Sequence, residues 1–440
     1  MSAEIRQIRT AAETALAAHF VAARSSLPGS AAIAALRDEA FHRFERDGLP
    51  SRRVEEWKYT DLRALMREAK PLAQAGPLAD RRRKDQAGLL ASIEARRIVF
   101  VNGALVPEFS DLAEPEPGLV VTSMARALAS ADPSVIARLG KTVPTGDIAV
   151  ALNNAFMRDG AVIEVAPGTA LTRPLHLVFF NEGSEPAAVF LRSLVRIGEN
   201  ARVMLVESHE GSVGNQVNAA LELDVGDGAH LDHVKITAEG AGDLHLSSML
   251  AAVGAHARFN AFLFTTGATV VRNQLFVRFQ GEGTIAAIRG ASLLKGRQHA
   301  DTTLIADHAV GGCTARELFK AVVDGEAQSI FQGKIIVQPR AQKTDSKMAT
   351  HALLLSDGAE TVNKPELEIF ADDVQCGHGA TSGNLDADLL FYLRARGIPE
   401  KDAQALLIQA FVGEAVEGIE HAGLRDCLMD EVVAWVKARN

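Results

Sequence analysis

Cysteine is scarce. Cys313, Cys376 and Cys427 are the only three in 440 residues, odd in number and far apart. They cannot build a disulfide framework and fit a reducing compartment. Trp and Tyr are scarcer still, two of each against 19 Phe. Phe fills cores, whereas Trp and Tyr do most of the stacking on sugars and bases. A basic excess is also missing: the net charge is −9, which argues against a surface built for nucleic acid. No apolar run approaches the roughly 20 residues that span a bilayer. Residues 1–20 lack a secretory apolar core, since Glu4, Arg6, Arg9 and Glu13 interrupt them. Ile5, Ile8, Ala12, Leu16 and Phe20 recur there at helical spacing, which predicts an amphipathic helix of the folded protein. Together these absences predict a cytosolic protein with no membrane or nucleic-acid partner.

The common catalytic signatures are absent too. Leu139-Gly140-Lys141-Thr142 ends like a phosphate-binding loop, but Val135 stands where the first glycine is needed. The G-x-G pieces of the middle region sit between strands and not before a helix, so they read as turns. No G-x-S-x-G or H-E-x-x-H occurs. Asp372 and Asp373 could serve acid–base chemistry in a polysaccharide-cleaving enzyme, yet adjacent strand residues face opposite sides. His299, His308 and Cys313 are potential ligands whose spacing matches no known site, and they read as structural.

What is present falls into three stretches. Residues 1–158 read as a helical region with a linker and a small hairpin. Residues 31–46 carry an apolar face through Ile33, Leu36, Ala40, Phe41 and Phe44, stopped by Gly48 and Pro50. Residues 48–62, G-L-P-S-R-R-V-E-E-W-K-Y-T-D-L, read as a docking loop anchored by Trp57, with a ligand site as the alternative. Residues 71–88 read as an exposed connection, and Arg81 to Lys84 as a solvated basic run. Residues 97–106 give strand, Asn102-Gly103 turn, strand. Residues 123–139 and 148–158 look helical.

Residues 159–383 change to short alternating strands broken by glycine. Equivalent turns centre on Gly168, Gly198, Gly226, Gly254 and Gly281, separated by 30, 28, 28 and 27 residues. One turn and two or three strands per period is the pattern of a stacked β-solenoid. A sandwich or jelly roll would show turns nearer every 8–12 residues. A solenoid has open ends that must be capped or paired with another chain, a second copy included. Residues 384–440 return to helix, with breaks at Gly397-Ile398-Pro399 and an apolar face of Leu424, Leu428, Val432 and Trp435 that places Cys427 in the core.

At the junction stands E-L-E-I-F-A-D-D-V-Q-C-G-H-G-A-T-S-G, residues 366–383. Leu367 and Ile369 alternate with Glu366, Glu368 and Phe370, as in a half-buried strand. Gly377, Gly379 and Gly383 read as an exit turn. Cys376 and His378 are the one close thiol–imidazole pair, and two residues apart on an extended chain they share a face. Residue types alone leave two readings: ligands to a metal or cluster, or a packed cysteine beside a turn histidine.

Residues 365–398 (P-E-L-E-I-F-A-D-D-V-Q-C-G-H-G-A-T-S-G through L-F-Y-L-R-A-R-G-I), with residues 48–62 and the solenoid between, closely resemble the SufD branch of the SufB/SufD family. Those proteins belong to the SUF iron–sulfur cluster assembly machinery. SufB typically has H-E-A-T where this chain has His378-Gly379-Ala380-Thr381. The resemblance implies a right-handed parallel β-helix flanked by helical regions, acting as a non-catalytic scaffold. It implies pairing with SufB through the C-terminal end of the β-helix and binding of the ATPase SufC by the C-terminal helices. It implies no permanent cofactor: a transient iron–sulfur cluster or iron forms at the SufB joint, and ATP belongs to SufC. His378 matches the histidine implicated at that joint, and Cys376 the neighbouring cysteine. Position within the tail points to Phe391, Tyr392, Arg394, Arg396 and Gly397 as the SufC-contacting segment.

Overall fold

In the computed structural model, which describes residues 9–74, 88–211 and 214–439, two long sheets face each other across one core. One sheet has ten strands and the other nine. From Leu175–Asn181 onward, successive strands alternate between the sheets, so each circuit of the chain adds one strand to each. This is the parallel β-solenoid that the turn spacing predicts, with two strands per coil. The long ladders are parallel, as in the column Gln216, Leu244, Val270, His299, which excludes a sandwich.

Alternation builds the core. Val217, Leu221, Leu223 and Val225 point inward and stack on Met249, Ala251 and Val253 of the next coil. Each buried aliphatic side chain contributes about 1.5–3 kcal/mol, and only stacking lets a coil bury its inner face. The glycine turns stack as well. Gly198, Gly226 and Gly254 each donate a backbone N–H to a carbonyl one coil below, Val165, Ile197 and Val225, at 2.8 Å. At Gly281 a Cβ would lie 1.8 Å from the Ala255 nitrogen, so no side chain fits.

The N-terminal helix runs Ala11–Ala23 and starts on a reciprocal cap. Thr10 Oγ1 accepts from Glu13 N at 3.2 Å, and Glu13 Oε2 accepts from Thr10 N at 2.6 Å. Ala12, Leu16 and Phe20 are buried as predicted, while Ile5 and Ile8 lie outside the described residues, as does the basic run from Arg81 to Lys84. Helix Ala31–Asp47 buries Ile33, Ala40, Phe41 and Phe44 and stops at Gly48. Residues 123–139 form two short helices and not one. Met124–Ala129 ends, Asp132 caps the next turn, and Pro133 opens Pro133–Arg138. Helix Ile148–Phe156 follows as expected.

Two boundaries differ from the sequence reading. Asn102-Gly103, both with positive φ, does turn Arg96–Val101 back onto Ala104–Leu105. However, Arg96–Val101 also pairs in parallel with Leu175–Asn181, so the solenoid begins in the hairpin and not at residue 159. Residues 71–73 are no exposed connection. Ala188 N donates to Pro71 O at 2.7 Å and Ala73 N donates to Ala188 O at 2.8 Å, which adds Leu72 to a sheet edge. The tail read as helical from residue 384 does form helices, and two of them dock on the solenoid. Glu400–Val416 and Ala422–Arg439 bury Ile408, Val412, Leu428 and Val432 against Val234, Ile236 and Phe264 on the outside of the ten-stranded sheet. Of these three helices, Ala387–Ala395 alone has no buried residue. Cys427 is half-buried at the rim of this contact, 3.3 Å from Ser92 Oγ.

Candidate functional site

The two sheets end on Glu360–Ile369 and Gln375–Gly383, each paired on one side only among the described residues. Neither strand has a fully buried residue, whereas every residue of the interior strand Leu244–Val253 is buried. In a parallel ladder, successive residues turn their N–H and C=O to opposite neighbours. Glu360 N donates to Ala327 O at 3.0 Å and Phe370 N to Val337 O at 2.9 Å. Residues 361, 363, 365, 367 and 369 therefore face off the edge. Pro365 is one of these, so its missing N–H removes no ladder bond. On the other strand, Gln375 N donates to Thr344 O at 2.8 Å. Cys376, His378, Ala380 and Ser382 thus present free backbone groups to the open side.

The glycines of this segment do not make an exit turn. Gln375–Gly383 is a strand in register with Asp345–Leu354, and a Cβ at Gly377 or Gly379 would meet nothing within 4 Å. The neighbouring strand templates the extended backbone despite the weak strand preference of glycine. Cys376 and His378 do share a face, as their spacing requires, and that face is the inner one. Cys376 stacks on Ser346, which stacks on Ala315. His378 stacks on Met348, which stacks on Glu317. Ser346, Met348 and Glu317 are buried, so the pair forms the last layer of the core, at the mouth of the solenoid. His378 is exposed, and Cys376 half-buried against the core.

Burial is the main reason the Cys376 thiol is pushed up, and the carboxyls of Glu317 and Asp345 add to it. The thiol therefore holds its proton more firmly than a free cysteine does. Below it, burial pushes Glu317 up to about 8. Ser346 Oγ donates to Glu317 Oε1 at 3.2 Å, and Oε2 has no partner. Among the described residues, no third His, Cys, Asp or Glu joins Cys376 and His378 in a three-ligand group. Cys376 and His378 thus offer two potential donor atoms, half of a four-ligand sphere, at the mouth.

The remaining motifs resolve into structural roles. Trp57 is buried and clamps the 48–62 loop onto the nine-stranded sheet, with the Arg272 guanidinium 4.0 Å from its ring centroid. Trp57 Nε1 donates to Asp147 Oδ2 at 2.9 Å. Asp301 ion-pairs with Arg272 and accepts from Thr60 Oγ1 at 2.5 Å. Lys364 reaches Glu55 at 2.5 Å, which ties the loop to the last coil. The segment that ends like a phosphate loop already holds an anion. Gly140 N and Thr142 N donate to the Glu222 carboxylate at 2.8 and 3.3 Å, and Glu222 is paired with buried Arg192 at 2.6 Å. Asp373 pairs with Lys343 in the turn before the last strand, while Asp372 stays exposed. His299 contacts Thr60 at 2.9 Å, His308 lies on Phe279 at 4.4 Å between ring centroids, and Cys313 is core. The three do not converge.

On helix Ala387–Ala395, which has no buried residue, Leu389, Phe391 and Tyr392 are 51%, 74% and 54% exposed. Arg396 donates to Tyr392 Oη at 2.9 Å, Arg394 pairs with Glu400 at 3.3 Å, and Gly397 (φ +85) ends the helix. Of the five residues read from the tail, Tyr392 and Arg396 touch each other, and all lie on the exposed helix or its end.

The sequence reading overlooked one group. Glu207 and His209 on one strand, and His233 and Lys235 on the next, point into the solenoid, although Val206, Val234 and Ile236 between them point out. Polar residues on the inward beat of the alternation were the available signal.

Comparison with known proteins covers nearly the whole chain. Residues 11–177 match the SufBD protein N-terminal region, and residues 179–411 match the SufBD core domain of SUF system FeS cluster assembly. A SufBD family iron–sulfur cluster assembly protein of Synechocystis sp. is 32% identical over 391 residues, 86% of this chain and 85% of its own length. The iron–sulfur cluster assembly protein SufD of Escherichia coli is 31% identical over 395 residues, 88% of this chain and 89% of its own. SufD of Bacillus subtilis is 26% identical over 293 residues, 65% and 66% of the two chains. The chain, a homologue of SufD, belongs to the SufBD family of iron–sulfur cluster assembly proteins.

Proposed function

We propose that the protein is a non-catalytic scaffold subunit that joins SufB end to end at the mouth of the solenoid and binds the ATPase SufC on its exposed C-terminal helix. The observation that carries this reading is the mouth itself: two uncapped parallel edges with Cys376 and His378 as the last inner layer. A partner that adds a strand to Gln375–Gly383 brings its own side chains over that half-sphere. Thiolate and neutral imidazole both bind iron and cluster iron, so the cargo is a nascent cluster or iron, held transiently. His378 is the resting ligand because it is exposed and needs no ionisation. Cys376 joins once the metal displaces its proton. Nucleotide chemistry falls to SufC; in this chain Glu222 fills the one loop that resembles a phosphate site. The exposure of Phe391 and Tyr392, with Arg394, Arg396 and Gly397 following in the chain, supports the SufC contact.

The test is purification of the tagged native protein at mild salt, then cluster reconstitution. Co-elution of a second solenoid subunit and a P-loop ATPase is expected. His378→Ala should keep that assembly and lower cluster yield at least ten-fold. Unchanged yield would remove His378 from the reading. Elution as a homodimer, or alone at every salt concentration, would remove the partners.

A further inference from the structure

The solenoid interior carries a charged cluster that neither the mouth nor the C-terminal helices use. His209 lies on Arg202–Gly211, Glu239 in the turn after His230–Thr237, and His245 at the start of Leu244–Val253. They are 0%, 3% and 0% exposed. One ligand atom from each lies within 4.8 Å of the others. Glu239 Oε2 is 2.8 Å from His245 Nδ1. The His209 ring is wedged between Phe179 and His245, with both centroid distances 4.7 Å, and neither of its nitrogens has a hydrogen-bond partner. Leaving one buried polar group unsatisfied costs about 1–3 kcal/mol. An imidazole with both nitrogens unpartnered, beside a buried carboxylate and a second imidazole, is poorly explained by packing alone.

We propose that His209, Glu239 and His245 form an interior site for a divalent first-row transition metal. Two imidazoles and one carboxylate suit Zn²⁺ or Fe²⁺, with protein ligands left short of a full sphere. Metal–ligand bonds of about 2.0–2.1 Å place tetrahedral ligand atoms roughly 3.3 Å apart, so binding draws together three atoms that lie within 4.8 Å of one another. The charge balances: Glu239 and Glu207 together offset a dication, and Glu207 is held by His233 at 2.7 Å. Lys235 donates to His245 Nε2, Thr237 Oγ1 and Asn273 Oδ1 at 3.0, 2.8 and 3.1 Å. Coordination through His245 Nδ1 therefore releases one proton: Lys235 passes a proton to Nε2, and Nδ1 loses its own to solvent. Glu207, Lys235, Ser247 and Asn273 also line a small cavity. The site is separate from the mouth. Six strand steps in the ten-stranded sheet divide His209 from the last strand, roughly 29 Å at the usual strand spacing.

The experiment refolds the chelator-stripped full chain with one equivalent of Co²⁺. Expected are one bound Co²⁺ per chain, visible d–d absorption, and thermal stabilisation over the metal-free protein. His209→Gln and His245→Gln should each weaken binding at least hundred-fold. Should either fail to fold by circular dichroism, Glu239→Gln gives the same reading. A Cys376→Ser/His378→Ala double variant should bind as wild type does. So should Asp232→Asn, which disrupts the surface group His230, Asp232 and Glu420. Folded wild type that takes up no Co²⁺ overturns the proposal. So does uptake indifferent to the interior substitutions, or uptake lost with the mouth or surface substitutions.

Discussion

The two ends of the solenoid are built on opposite plans. At the first end both ladders stop on antiparallel strands, Ala104–Leu105 and Leu119–Ser123. Leu105, Leu112, Leu119 and Val121 pack over the end of the core. A short antiparallel edge offers little to a further strand. At the other end the ladders stop on strands of ten and nine residues, with Ile369 and Phe370 41% and 60% exposed. Pro365 interrupts one of these edges and leaves Gln375–Gly383 as the edge with an unbroken set of donors. One end is finished within the chain; the other keeps the form of a strand-pairing surface.

If that contrast is right, the closed body should be intolerant of change where the mouth is tolerant. The largest effect is expected in the body. Trp57→Ala removes the clamp beneath Arg272 and should lower the stability measured by urea unfolding by about 3–5 kcal/mol. Next comes a substitution aimed at the mouth alone. Ala380→Pro removes an N–H that faces off the edge and should weaken association with the paired solenoid subunit about hundred-fold. Its urea midpoint should stay near wild type. Equal losses of association and stability would show that the edge is structural and not a docking surface.

A pair of glycines sharpens the same contrast. Gly281→Ala forces a methyl into the Ala255 backbone and should destabilise by about 1–3 kcal/mol. Gly379→Ala meets open space and should stay within about 0.5 kcal/mol. The last effect concerns Glu317, the buried carboxyl one layer below Met348, and shows only as pH is varied. Its folded value of about 8 lies above the ordinary 4.5. The stability it contributes is therefore full below about 4.5 and is lost as pH rises toward 8. Glu317→Gln should flatten that decline, with the variant gaining on wild type at pH 8 to 9 in urea titrations. A parallel pH profile for both proteins would contradict the burial of the charge.

Much of this was legible beforehand. The glycine period announced the coils because stacked turns approach so closely that a Cβ is excluded, as at Gly281. Asn102-Gly103 announced the hairpin through backbone conformations that few other pairs adopt. Trp57 read as an anchor because one large aromatic amid charge has few other uses. Other features failed for one shared reason. Gly377 and Gly379 read as a turn, yet the strand at residues 345–354 holds them extended. Arg96–Val101 read as half of a hairpin because its second partner lies some 80 residues downstream. The polar interior from Glu207 to His245 went unnoticed because each residue is unremarkable alone; only stacking the coils gathers them.

The sequence by itself determined the period of the coil, the inward beat of each strand and the shared face of Cys376 and His378. Those follow from local geometry, in which side chains alternate and glycine admits close backbone approach. The tertiary structure decided which edges stay unpaired, which helices dock on the outer sheet, and which buried groups meet inside. Those depend on pairings between residues one or more coils apart. No local preference encodes them, because the free energy of such contacts exists only once the coils have stacked.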